Sequence, residues 1–127
     1  MNTARDVVRR YMQLCNTGDA DAIAACFDVD AVIYDLNHPP VRGAEAIGGF
    51  WVKIRDRWDG ATWSIVLDVT EGDHVAMEWE MTGRRNGNDV LFRGTDIITV
   101  RGDRISEIHQ YWSFHPETGS TLIGLSA

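Results

Sequence analysis

One residue breaks the pattern of its surroundings in a way that bears on chemistry. Phe92, Gly94, Asp96, Ile98 and Val100 alternate with Arg93, Thr95, Ile97 and Thr99, and this period of two predicts a strand. Asp96 falls on the face shared with Phe92, Ile98 and Val100. An ionised carboxylate is costly to bury there. Desolvation favours its neutral form, which makes the acid a hydrogen-bond donor. Three readings stand open: a one-residue bulge that turns Asp96 outward, a buried and hydrogen-bonded structural acid, or a functional acid, since buried acids with displaced pKa values cluster at sites. Asp35 ends a short apolar segment, in phase with Ala31 and Ile33, beside Asn37-His38-Pro39-Pro40. It reads either as an Asx-type turn residue or as a general base at the rim of a pocket. Tyr11 lies on the apolar stripe of the first predicted helix, where a tyrosine serves as core or, with its phenol, as a donor.

Together these three residues form a usable set. An ionised acid moves a proton, while a neutral acid beside a phenol donates two hydrogen bonds to an oxyanion. No other arrangement in the chain competes. There is no glycine-rich phosphate loop, nucleophile elbow or metal motif, so no metal and no cofactor are expected. Of the four histidines, His74 follows a turn, His109 falls on the face opposite Trp112, and His38 sits near the expected pocket mouth.

The elements that must carry these residues follow from periodicity. Thr3 caps a helix predicted to reach about Asn16, with Val7, Val8, Tyr11, Met12, Leu14 and Cys15 at helical spacing. A second helix is predicted from about Ala20 to Phe27, and a strand over Ala31 to Asp35. The two prolines at 39 and 40 argue against further strand. Helix returns from Gly43 to Trp58, with Gly48-Gly49 inside it as a weak point that implies close packing. From residue 62 the period is two: Trp63, Ile65, Leu67 and Val69 on one side of the first strand, then Val75, Met77, Trp79 and Met81 after a turn. Asn86-Gly87 marks a hairpin, and a last strand runs from Ile105. The tail after Pro116, with Leu122, Ile123 and Leu125, is expected to close an edge or a dimer contact.

Helices first and hairpins afterwards indicate α+β, with N-terminal helices packed on a curved antiparallel sheet around one apolar pocket. The 127 residues suit a single domain spanning 1–127. The pocket is expected to be lined by Phe27, His38, Phe50, Trp51, Trp79, Ile98 and Trp112. A net charge of −7 argues against nucleic acid and against anionic membrane surfaces. The N-terminus lacks a signal-peptide pattern, no apolar run is long enough to span a bilayer, and a cytoplasmic location is expected. Cys15 and Cys26 have no metal spacing and read as buried thiols.

Three stretches carry a resemblance. They are Tyr11 to Ile23 with its central Gly18-Asp19, Ala31 to Asp35 followed by Pro39-Pro40-Val41-Arg42-Gly43, and Thr95-Asp96-Ile97 with Gln110-Tyr111-Trp112. In these the chain resembles the NTF2-like (SnoaL-like) superfamily, nearest in pattern to its ketosteroid isomerase branch, from about residue 5 to 114. The resemblance implies a cone-like fold and a homodimer formed through the sheet. It implies an isomerase-type enzyme acting on a small apolar, cyclic ketone. Tyr11 falls at the oxyanion-binding tyrosine, Asp35 at the proton-shuttling base and Asp96 at the protonated acid; an acid kept neutral in that family is a worked example of pKa tuning. The chain departs from some bacterial isomerases in carrying Phe27 and Trp51 where they have further tyrosines. The resemblance also admits a polyketide cyclase or dehydratase using Asp96 with His38 or His109, and a non-catalytic ligand-binding or protein-binding module. An epoxide hydrolase arrangement fits poorly, because Arg93 lies opposite Asp96 and Gln110 replaces the second acid.

Overall fold

The computed structural model describes residues 3–112. The tail after Pro116 expected to close an edge lies outside them. Helix α1 (Ala4–Cys15) starts at Thr3 through a capping box: Thr3 Oγ1 accepts the Asp6 N–H and the Asp6 carboxylate accepts the Thr3 N–H, both at 3.2 Å. It buries Val7, Val8, Tyr11, Met12 and Cys15. Helix α2 (Ala20–Ala24), capped by Asp19, stops short of the predicted Phe27. The last sheet strand claims the backbone there: the Ile105 N–H donates to the Cys26 carbonyl at 2.8 Å, and Phe27 opens strand β1 (Phe27–Asp35).

The prolines do not end strand structure as expected, since β2 (His38–Arg42) pairs with β1. It is the edge of the sheet, where a missing donor faces no neighbour. Helix α3 (Ala44–Arg57) follows Gly43, whose φ of 92° only glycine adopts without strain. Within it a Cβ on Gly48 would sit 2.3 Å from the Ala20 carbonyl oxygen, so the glycine is what lets α2 lie against α3. Strands β3 (Thr62–Glu71), β4 (His74–Arg85), β5 (Asn88–Arg101) and β6 (Arg104–Trp112) complete a six-stranded sheet ordered β2-β1-β6-β5-β4-β3. Asn86 and Gly87, with φ of 54° and 79°, make the β4–β5 hairpin turn.

The sheet is mixed rather than wholly antiparallel, because β1 and β6 run parallel. No hairpin joins these two strands, so nothing imposes the antiparallel sense on them. The three helices pack on one face, giving the α+β cone. The alternation expected for β3 also fails after Ile65. A bulge between Ile65 and Leu67 shifts the register, so Leu67 and Val69 face outward and are exposed. Asp68 faces inward instead, accepting Arg5 at 2.8 Å and Arg9 at 3.1 Å from α1. Asn16 ties the other end of β3 to α1, accepting the Trp63 N–H at 2.7 Å and donating to the Trp63 carbonyl at 2.9 Å. Cys15 and Cys26 are free and buried. Among the described residues no helix is long and apolar enough to cross a membrane.

Candidate functional site

The sheet register brings the singled-out acids into one row. Met77 pairs with Asp96, Asp96 with Gln110, and Gln110 with Asp35, across β4, β5, β6 and β1. The two acids are therefore two strand spacings apart, about 10 Å between backbones. The next row is Trp79–Gly94–Trp112. A Cβ on Gly94 would lie 2.4 Å from Trp79 Cζ2 and 2.8 Å from Trp112 Cβ, so the glycine makes room for both indoles. Each indole then serves one acid. Trp79 Nε1–H donates to Asp96 Oδ1 at 2.8 Å, and Trp112 Nε1–H donates to Asp35 Oδ2 at 2.6 Å.

Asp96 is 2% exposed, and Gln110 Nε2 donates to its second oxygen at 3.2 Å. Burial pushes its pKa up to about 7, against the opposing pull of the Trp79 and Gln110 hydrogen bonds; the Asp35 charge adds to the rise. The bulge that could have turned Asp96 outward is not there. Tyr11 is buried against Phe27 and Trp51, with ring centroids at 5.2 and 6.5 Å. Its phenol and the Cys15 thiol hydrogen-bond each other, and burial raises the pKa of both. Asp35 differs in having a donor-rich shell. Besides Trp112, its carboxylate accepts the Asn37 backbone N–H at 2.7 Å and Asn37 Nδ2 at 3.1 Å, with His38 Nε2 3.4 Å away. The Asx turn expected as an alternative is thus present together with an inward-facing carboxylate, whose side chain is 1% exposed. His38 Nδ1 lies 2.8 Å from the Pro39 carbonyl, which can only accept. Both ring nitrogens therefore face acceptors.

Two cavities meet at this row. The larger, about 360 Å³, is lined by Asp35, Asn37 and His38 at one end and by an apolar wall that includes Phe50, Met81 and Phe92. All five tryptophans of the chain, Trp51, Trp58, Trp63, Trp79 and Trp112, line it. The smaller, about 10 Å³, is bounded by Tyr11, Cys15 and Asp96 among others. That volume holds about one water-sized atom. Trp51, Trp63, Trp79 and Gln110 line both cavities. Trp51 Nε1–H is buried and has no hydrogen-bond partner, a donor left over between the two.

Comparison with known proteins identifies the family and the fold. The SnoaL-like domain family matches residues 8–108. The chain belongs to that family. Among curated proteins none matches by sequence. A protein of unknown function with a cystatin-like fold from Methylobium petroleophilum is 23% identical, covers 98% of this chain and 81% of its own, and superposes with a TM-score of 0.78. A protein with a ketosteroid isomerase-like fold from Catenulispora acidiphila, solved with trimethylamine, is 20% identical, with 88% of each chain covered and a TM-score of 0.79. A provisionally assigned polyketide cyclase from Sinorhizobium meliloti is 25% identical over 83% of this chain and 93% of its own, with a TM-score of 0.69.

In this SnoaL-like domain the expected pocket residues divide. His38, Phe50, Trp51, Trp79 and Trp112 line the large cavity. Phe27 and Ile98 line neither; both are core, Phe27 because it packs edge-on to Tyr11 and Ile98 because it lies one step beyond Asp96, under the helices. Asp35 borders the large cavity and Tyr11 and Asp96 the small one. Gln110 went unnoticed as a site residue because it is adjacent to both acids only through strand pairing. Arg57 and Arg85, also on the large cavity, gave no local signal, since each ends its element in a polar stretch. Among the described residues no cluster of His, Cys, Asp or Glu is placed to hold a metal ion.

Proposed function

We propose that this SnoaL-like domain catalyses cofactor-independent proton transfer next to a carbonyl, in the manner of a ketosteroid isomerase, on a mostly apolar cyclic ketone. The observation that carries this reading is the pairing of an acid on a large apolar cavity with a one-atom cavity behind it. The ring system fills the large cavity, and the carbonyl oxygen takes the small one. Asp35 removes a proton from the carbon next to the carbonyl, and the electron pair moves onto the oxygen as an enolate. Asp35 then returns the proton further along the conjugated system, so nothing is oxidised or reduced. Neutral Asp96 and Tyr11 donate to the enolate oxygen. The entering oxygen takes the Tyr11 proton from the Cys15 sulfur, a weak acceptor. Among the described residues, Trp51 Nε1–H is the buried donor at the boundary without a partner to lose.

Turnover of a β,γ-unsaturated cyclic ketone, followed by ultraviolet absorbance of the conjugated product, tests this. Asp35→Asn should lower kcat by about 10²–10⁴-fold, the usual contribution of a general base. Wild-type protein that binds the ketone in a folded state without turning it over would overturn the isomerase reading. A second reading, a cyclase forming a carbon–carbon bond, rests on the contact of His38 with Asp35, which puts an acid–imidazole pair at the cavity mouth. Exposed Leu67, Val69, Ile97 and Tyr111 on the outer face of the sheet favour a homodimer.

A further inference from the structure

Apart from Gln110, the polar groups that line the large cavity come from two separate places in the fold. Asp35, Asn37 and His38 come from the β1–β2 turn, and Arg57 and Arg85 come from the last residues of α3 and β4. Phe50, whose ring centroid is 5.0 Å from that of His38, precedes Arg57 by seven residues of α3. At 1.5 Å of rise per residue the two ends are about 10 Å apart. Ile54, Trp58, Met81 and Phe92 line the space with apolar surface.

The cationic end is fixed in place. Arg84 N–H donates to the Trp58 carbonyl at 2.9 Å, and a Cβ on Gly83 would lie 2.7 Å from that same oxygen. The end of α3 is thereby held against the end of β4. The Arg85 guanidinium sits 5.2 Å from the Trp58 ring centroid, which leaves its N–H edges unspent. Neighbouring arginines are neutralised: Arg84 pairs with Asp89 at 3.5 Å and Arg93 with Glu80 at 2.8 Å. Among the described residues Arg57 and Arg85 have no such acid. In a chain with 19 acids against 12 Lys and Arg, two unneutralised guanidinium groups on one cavity run against the average charge.

We propose that the cavity's ligand carries a carboxylate about 10 Å from the carbon that Asp35 deprotonates, and that Arg57 and Arg85 receive it. The proposal rests on the proton-transfer reading for the Asp35 end and adds the substrate class: an apolar keto acid. A guanidinium presents paired donors that match a carboxylate. The tryptophan-rich wall could alternatively cage an organic cation; two guanidinium groups at its end oppose that.

Binding of three probes with one body distinguishes these. They are 4-(2-naphthyl)butanoate, its methyl ester, and the trimethylammonium analogue of equal length, titrated into the full chain and followed by tryptophan fluorescence. The butanoate should bind about tenfold more tightly than the ester at low salt, as expected for two solvent-exposed charge contacts, with the advantage shrinking as salt rises. The Arg57→Gln, Arg85→Gln double variant should bring that ratio to about one, while Arg101→Gln, at the distant β5–β6 turn, should leave it unchanged. Circular dichroism confirms that each variant is folded. Equal affinities for acid and ester, a preference that survives the double variant, tightest binding of the cation, or no binding of any probe at millimolar concentration would each overturn the proposal. None of the probes can isomerise, so a failure here is separate from loss of ketone turnover, which bears on the Asp35 reading alone.

Discussion

Asp96 is pulled in two directions: burial favours its neutral form, and the indole and amide donors favour its anion. Burial wins, leaving its pKa raised to about 7 from an ordinary 3.8. Between those two values the folded chain holds a proton that the unfolded chain has lost, so this residue's contribution to stability is fully present below about pH 4. It declines as pH rises and is gone above about pH 7. Asp96→Asn keeps the shape without the titration. The stability difference, wild type minus variant, should therefore fall between about pH 4 and pH 7 in urea denaturation. A difference flat with pH would mean that Asp96 is ionised throughout. The position of Asp96 was legible in sequence because no bulge interrupts β5 near it, so parity alone places it inward. Its partners were not legible. Trp79, Gln110 and the role of Gly94 depend on which strands pair and in what register, and no local spacing encodes that.

The elements show the same division between local and non-local information. Gly48 and Gly49 are identical in sequence terms, and the sequence flags them equally as weak points of a helix. Their surroundings separate them. A Cβ at 48 would meet the Ala20 carbonyl at 2.3 Å, whereas one at 49 would meet nothing within 4 Å. Gly48→Ala should destabilise by about 1–3 kcal/mol through overpacking against backbone that cannot yield. Gly49→Ala should stabilise by about 0.5–1 kcal/mol through helix propensity. Urea titration of the two variants checks both signs. The Thr3 cap of α1 is legible in the sequence because it acts on its own backbone. The β3 bulge is not, because nothing in Ile65-Val66-Leu67 marks it. Its cause lies across the fold, where turning Asp68 inward lets it accept Arg5 and Arg9 of α1.

That bulge also shapes the outside of the molecule. By moving Leu67 and Val69 to the outer face, it builds an apolar row of Val69, Ala76 and Ile97 that continues through His109, with Leu67 and Tyr111 in the row beside it. Leu67 and Val69 are 61% and 59% exposed, a poor arrangement for a surface that faces only water. Six strands at about 4.8 Å spacing and nine residues at about 3.3 Å make a face of roughly 25 by 30 Å. That is close to the ~800 Å² per partner of a stable interface. The helices occupy the opposite face and keep the cavities, so pairing through the outer face leaves the site's walls to each subunit. We propose a homodimer through this face, as the family resemblance implies. Light scattering of the wild-type chain should give twice the 14.3 kDa chain mass. Leu67→Lys with Ile97→Lys should reduce it to a monomer that keeps its fold, since both side chains are already exposed and such changes cost at most about 0.5 kcal/mol each. A wild-type monomer at high concentration would rule out self-association, and a dimer indifferent to both lysines would move the interface away from the sheet. If the dimer does dissociate, fluorescence titration of the monomer should return the same naphthyl affinities as the wild type, because all five tryptophans and both acids lie on the inner side of one chain.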